Sequence, residues 1–479
     1  LDDDCSGTAD DGGDLCPVGE ACAAEGRCAL DSDLDGVANV DDLDDDEDGD
    51  PDLSDCAPLD PAIHHDASAI CGVDADCDGR LADPGESCDD ANAVGTDGCH
   101  ACRFTPMVLN GEPSTHQQNP SVVSISADEY VVAWERGWDG NSSGIMVLSH
   151  TDGETADGTW YWRGDVFQPA IAYDGLDHLL LVSRTGNEMI AGQMMLLDLT
   201  PHGSNIAFSS DSVEYRHRTK ASVTPIEGVG FIVAWASGCE LPSGCSFGGD
   251  QDGSGMGVFG RYVDSSGKTD GSEFQINTTT SDNQTTPDVA PIGDGRWTAV
   301  WESVGQDGSN EAVISRTFSK SGQGPSDESV VNTYYTQSQK NAVIVAMANG
   351  GSVIAWQSQW QDGSEGGVYA QRFAASGDKL GGEFRLNSIA SGHQGSPRIA
   401  AGMDGNWFAA WQDGPGVRGR LFSSEGVALG QELDIGQGEI GDVAAMKDGN
   451  GYIVVWWSYD ANNIRWYIHA RRVNANGSF

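Results

Sequence analysis

Carboxylates recur in residues 31–55 at spacings that suit a hard cation. The stretch DSDLDGVANVDD places acids at Asp31, Asp33 and Asp35, glycine at Gly36, an amide at Asn39 and a further acid at Asp42. In loop numbering these are the first, third, fifth, sixth, ninth and twelfth positions. DDDEDGDPDLSD repeats the arrangement with Asp44, Asp46, Asp48, Gly49, Asp52 and Asp55. Calcium takes about six to eight oxygens from a loop that turns sharply, and glycine at the sixth position permits the turn. A partial third copy, DADCDG, supplies Asp74, Asp76 and Asp78 but carries Gly85 at its twelfth position. Random acid runs do not place glycine and the outer oxygens twice alike. Carboxylates held this close also repel one another unless a cation neutralises them. Calcium is therefore the expected cofactor, against the plainer reading of a solvated, disordered acidic tract.

Sulfur is the second reactive element. Residues 1–103 hold ten of the twelve cysteines, 31 of the 74 acidic residues and only Arg27, Arg80 and Arg103 as bases. Dense cysteine without a compensating core marks an oxidising compartment, so secretion or display at the cell surface is expected. Cys99 and Cys102 form a Cys-x-x-Cys pair that redox chemistry or zinc could use, but ten cysteines in one short acidic region favour structural disulfides. CHAC does not fit a c-type haem site, because His100 lies inside the pair. Cys239 and Cys245 lie in SGCELPSGCSFGGDQDGS and read as a disulfide clip on a long surface loop.

The D-x-D-x-D-G pattern of residues 31–55 resembles thrombospondin type 3 calcium repeats. DCAPLDPAIHHDASAICGVDADCDG looks like the metal-binding repeats of myxobacterial-type surface proteins. CDGRLADPGESCDDANAVGTDGCHACRF resembles the short myxobacterial cysteine-rich repeat, with Cys77, Cys88, Cys99 and Cys102 at its four cysteine positions. These resemblances imply secreted modules. The expected pairing is Cys56 with Cys71, and two bridges inside each of the sets Cys5, Cys16, Cys22, Cys28 and Cys77, Cys88, Cys99, Cys102. Four cysteines allow three pairings, and no choice is made within a set.

The elements that must carry this chemistry follow from a repeat. From residue 104 onward, EYVVAW, RWTAVW, GSVIAW and GNWFAAW each end on a tryptophan: Trp134, Trp301, Trp356 and Trp411. Each lies 24 residues after an asparagine: Asn110, Asn277, Asn332 and Asn387. Trp235 and Trp456 end the same type of strand, and a third strand type follows, as in VYAQRF from Val368. Four short strands in a unit of about 50 residues are the signature of a β-propeller. Counting second strands gives seven blades. DHLLLV lacks its tryptophan, which leaves six or eight open, and a β-helix or immunoglobulin-like array is the alternative.

The last unit supplies three strands, ending at Val473. Its fourth is the orphan around Met107–Asn110, predicted to pair with residues 468–473 and close the ring. The expected fold class is thus all-β, a seven-bladed propeller preceded by a small disulfide-rich calcium-binding module. The domains are 1–30 (cysteine-rich), 31–55 (calcium repeats), 56–103 (a cysteine-rich, metal-binding-type repeat) and 104–479 (propeller).

Within the propeller the tryptophan set reads as core between blades. Trp138, Trp160, Trp162 and Trp360 lie outside that pattern and are the candidates for ligand binding. QDGS, starting at Gln251, Gln306 and Gln361, is a turn before it is a calcium loop. Gln117, Gln284, Gln339 and Gln394 are expected to tie the crossover between blades. His116 and His393 vary to Asn283 and Ser338 in sister units, against a proton-transfer role.

A formal charge of −49 disfavours nucleic acid and anionic membrane. No apolar run approaches bilayer length. No Asp-box, nucleophile elbow, HExxH or P-loop occurs. The expected function is a secreted or cell-surface, non-enzymatic calcium-binding protein whose propeller binds a glycan or protein partner in adhesion or recognition. The alternative is a structural subunit that self-assembles into a filament or surface layer through the acidic N-terminal module. A carbohydrate-active enzyme is the third class.

Overall fold

A computed structural model describes residues 106–479 and the backbone of residues 20–23 and 27–30. The stretches 111–115, 127–128, 138–143, 152–158, 211–216, 239–250, 323–324 and seven single positions fall outside the description. So do the side chains of residues 150–164. The chain divides into two compact units, one within residues 1–104 and one running from Thr105 to Phe479. In the first, Glu20–Ala23 pairs antiparallel with Arg27–Leu30, in a register that sets Cys22 opposite Cys28. The predicted calcium ligands at residues 31–78, and Cys5, Cys16, Cys56, Cys71, Cys77, Cys88, Cys99, Cys102, Cys239 and Cys245, lie outside the described residues.

The second unit is a seven-bladed β-propeller, each blade an antiparallel sheet built in chain order from the axis outward. Blade one runs from Gln117–Ser124 to Thr159–Arg163, and blade six from Gln394–Ala401 to Ala428–Gln437. Blade two, without the repeat tryptophan, still forms a complete four-stranded sheet, which settles the count at seven. In blade three the inner strand is split into His217–Arg218 and Ser222–Ile226, both paired with Gly230–Gly238.

The last blade takes its outer strand from the front of the propeller, as the orphan phrase predicted. Met107 and Val108 lie opposite Ala470 and His469. Leu109 N–H donates to the Ile468 carbonyl at 2.8 Å. Asn110 finishes the join: its Oδ1 accepts from Ile468 N–H at 2.8 Å and its Nδ2 donates to the Trp466 carbonyl at 2.9 Å. Sister asparagines do the same within continuous blades, Asn277, Asn332 and Asn387 accepting from Val258, Val313 and Val368 N–H. Closure removes the open edges a free sheet would present.

The core lies between blades. Trp134, Trp235, Trp301, Trp356, Trp411 and Trp456 are all at most 1% exposed. Each joins a cluster with side chains of the preceding blade. Trp411 packs with Val353 and Val368 of blade five, and Trp134 with Ile453 and Val455 of blade seven. The repeated glutamines tie the crossovers as expected: Asn277, Asn332 and Asn387 donate to Gln284, Gln339 and Gln394 at 3.1–3.2 Å. Those amides pass the bond on to Ser281, Thr336 and Ser391 carbonyls.

The QDGS segments are turns. Gly253, Gly308 and Gly363 sit at φ of 101°, 94° and 87°, where a side chain is strained. Asp252, Asp307 and Asp362 accept from the N–H of the serine two residues on. Gln251, Gln306 and Gln361 donate to Glu273, Glu328 and Glu383. Among the described residues no three His, Cys, Asp or Glu side chains gather as a metal ion could use. Among the described residues no helix is long and apolar enough to cross a membrane.

Candidate functional site

Inner strands begin on the face that also carries the QDGS turns and the crossovers between blades. Near that end the inner strand bulges in six blades, between residues 118 and 121, 167 and 170, 285 and 288, 340 and 343, 395 and 398, and 440 and 442. Five bulges hold a non-glycine residue in the left-handed region: Asn119, Gln168, Thr286, Asn341 and Ser396, at φ between 47° and 53°. Thr286 is β-branched, so the strain there is greatest.

What compensates is the residue after the core tryptophan. Glu135 accepts from Gln118 Nε2 at 2.9 Å, from Asn119 Nδ2 at 3.1 Å, and from Gln168 N–H of the next blade at 3.3 Å. Glu302 does the same for Asn341 N–H at 2.6 Å. Gln412 takes Ile440 N–H at 3.0 Å. These side chains escaped the sequence reading because only their neighbour, the tryptophan, repeats in type.

Each blade aims one residue at the axis, in six of them just after the bulge. The seven are Ser121, Ala170, Ser222, Asp288, Val343, Arg398 and Asp442, and all line a central cavity of about 490 Å³. Asp442 accepts from Ser121 Oγ at 2.9 Å and Val122 N–H at 3.2 Å, which ties blade seven to blade one. Asp288 accepts from Ser222 Oγ at 2.6 Å and Ile344 N–H at 2.9 Å, bridging its two neighbours. Burial raises the Asp288 carboxyl above the ordinary range, and those donors pull in the other direction. Arg398 donates through Nε to the Gly441 carbonyl and through Nη1 to the Pro397 carbonyl, both at 2.8 Å. Arg184, Arg218, Gln168, Thr286 and Asn341 complete the polar lining, over Ile171, Val289 and Ile399.

Blade seven rises on this same face. Its second and third strands, Gly451–Asp460 and Arg465–Asn474, are ten residues each, where sister strands in those positions have seven to nine. Glu439, the first residue of the inner strand, lies opposite Trp457, so residues 458–467 project past the sheet. Register places Tyr459 opposite Trp466 and Trp457 opposite Ile468, on one face of the hairpin. Tyr459 and Trp466 ring centroids are 4.5 Å apart, those of Trp457 and Trp466 5.4 Å, and His116 meets Trp466 edge-on at 3.9 Å. Tyr459 is 46% exposed, and Trp457 and Trp466 are half-buried. On the opposite face Ser458 Oγ lies 2.7 Å from His469 Nε2. The His469 ring stacks on Trp456 at 5.0 Å, and burial holds its pKa down at about 4.

The blade-seven cluster is an aromatic surface outside the set that the sequence singled out. Trp360 is 51% exposed on a QDGS turn at φ 63°, and no ring lies against it among the described residues. Trp160 and Trp162 are placed only by backbone, opposite Met146 and Ile145 in blade one, and Trp138 lies outside the described residues. Aromatic alternation in WWSYDANNIRWYIHA was the signal for the blade-seven cluster. His393 is a weak partner of Gln357, at 3.5 Å.

No family model and no curated protein matches the chain. Among solved structures it is similar to a protein of unknown function from Dyadobacter fermentans, with 14% identity, a TM-score of 0.47 and coverage of 77% of this chain and 98% of that one. It is similar to an α-L-arabinanase of Penicillium chrysogenum complexed with arabinobiose, at 11% identity and a TM-score of 0.47, covering 78% and 99%. An α-L-arabinofuranosidase of Fusarium graminearum shows 8% identity and a TM-score of 0.44, covering 78% and 98%. At these values the likeness is one of fold alone.

These neighbours correct the expectation that the chain is not an enzyme. Two of the three are named as enzymes, and the absence of short motifs is by itself no ground for excluding turnover. The physical reason is in the axial ring. Its carboxylates, Asp288 and Asp442, come from blades far apart in sequence and line one cavity only after folding, so no short motif marks them.

Proposed function

We propose that the propeller is carbohydrate-directed and takes its glycan on the face where the inner strands begin. The aromatic hairpin of blade seven is the platform, and the axial cavity supplies the polar contacts. The observation that carries this reading is the cluster of Trp457, Tyr459 and Trp466, an exposed tyrosine between two half-buried tryptophans on a hairpin longer than its sisters. A sugar ring offers a C–H face to such rings and hydroxyls to nearby amides and carboxylates, the combination of apolar wall and few directed polar groups typical of ligand sites. The acidic front module holds calcium in this reading, and the protein works outside the cell. The supports are the doubled loop spacing and the cysteine density of residues 1–103.

The test is a glycan array read for binding, followed by incubation of each hit and assay for released reducing ends. Binding to a defined glycan, weakened at least tenfold by Trp466→Ala with the melting temperature preserved, is the expected result. A product-release signal would extend the reading to turnover. Binding that ignores Trp466→Ala would sink the platform, and a blank array would sink the carbohydrate reading.

A further inference from the structure

Charge around the axis runs against the rest of the propeller. Residues 104–479 hold 43 acidic residues and 22 basic ones, yet the axial cavity is lined by Arg184, Arg218 and Arg398 against Asp288 and Asp442. Two of these five are already committed elsewhere. Arg184 pairs with Glu188 at 2.6 Å, and Arg218 donates to the Glu188 and Ser210 carbonyls.

Arg398 is different. Its Nε and Nη1 donate to main-chain carbonyls, which fix the guanidinium plane without neutralising it. Among the described residues no carboxylate lies within ion-pair distance of it, and its Nη2 has no hydrogen-bond partner. Asp288 acts on Arg398 through space, but both oxygens of Asp288 and of Asp442 are turned to hydroxyl or backbone donors and neither forms an ion pair with it. A fixed guanidinium facing a cavity with an open N–H is a strong and directional anion donor.

We infer that the axial cavity takes a carboxylate of the ligand on Arg398, so that the preferred glycans are uronic-acid-bearing ones. This deepens the carbohydrate reading and rests on it for the sugar part of the ligand alone. A carboxylate fits better than a phosphate group. With Arg184 neutralised by Glu188 the lining carries no surplus positive charge beyond the open guanidinium, and Asp288 and Asp442 would repel a dianion more strongly than a monoanion. Loss of a charge-assisted hydrogen bond should cost about tenfold or more in affinity.

The experiment titrates the full chain, by calorimetry, with oligogalacturonate, oligoglucuronate and oligomannuronate, each beside its neutral methyl ester. At least one free acid should bind at least tenfold more tightly than its ester, and the preference should shrink as salt rises. Arg398→Gln should erase the acid preference, and Arg398→Lys should keep part of it, since charge stays but the fork is lost. Because Arg398 also holds the Gly441 carbonyl, melting curves accompany both variants. Should Arg398→Gln fail to fold, the lysine variant and the ester comparison decide. Acids and esters of equal affinity, an acid preference that survives Arg398→Gln, or no binding by any acid would each overturn the inference. Neutral glycans that still bind and still depend on Trp466 would show that the platform reading stands without it.

Discussion

Replacing Asn110 by alanine should open the propeller at its seam. Asn110 is 6% exposed, and its side chain accepts from Ile468 N–H and donates to the Trp466 carbonyl. Two hydrogen bonds at about 0.5–1.5 kcal/mol each are lost, and the Ile468 N–H, left buried and unpaired, adds about 1–3 kcal/mol. A destabilisation of about 2–6 kcal/mol follows. Among the described residues the seam also holds a two-residue ladder, the Leu109 to Ile468 bond, and the buried side chains of Met107 and Leu109. Burying each of those side chains is worth about 1.5–3 kcal/mol, and the loss at Asn110 is of that same size. Asn332→Ala is the control. It breaks the matching bond to Val313 N–H and the bonds of its amide to the Tyr334 carbonyl, Gln339 and Asp307, but its strand is held in continuous chain between two blades. Both variants should lose stability in denaturant titrations followed by tryptophan fluorescence. Limited proteolysis should tell them apart, with new cleavage between residues 104 and 116 in Asn110→Ala alone. A loss below about 0.5 kcal/mol, with an unchanged cleavage pattern, would refute the argument that the seam depends on this asparagine.

Acid should weaken blade seven through His469. An unfolded imidazole takes its proton near 6.5 and the buried one only near about 4, so between those values the unfolded state binds more protons. Stability is complete above pH 6.5 and falls toward pH 4, by up to about 3 kcal/mol. His469→Phe, which keeps a ring against Trp456, should flatten that part of the pH profile, and equal slopes in the two proteins would count against it. Calcium removal should act on the front module alone. Chelation should expose residues 1–103 to protease while the propeller's melting temperature holds, and calorimetry with and without EDTA measures both.

The sequence by itself determined the architecture, because the architecture repeats. Apolar strands closed by tryptophan, a constant asparagine-to-tryptophan interval and the asparagine-glutamine pair each mark one place in every blade, and repetition makes each mark legible. The orphan phrase at Met107–Asn110 even disclosed the seam, because a closed ring needs as many fourth strands as blades. The axial ring was illegible for the converse reason. Ser121, Ala170, Ser222, Asp288, Val343, Arg398 and Asp442 share a place but not a type. In six blades a bulge just before that place also breaks the two-residue alternation from which facing would be read. The aromatic platform depended on register. Tyr459 and Trp466 lie on opposite arms of a hairpin, and only the pairing of its strands sets one ring beside the other. Local chemistry repeated in sequence announces a fold, whereas a site assembled from single residues of many blades exists only once the ring has closed.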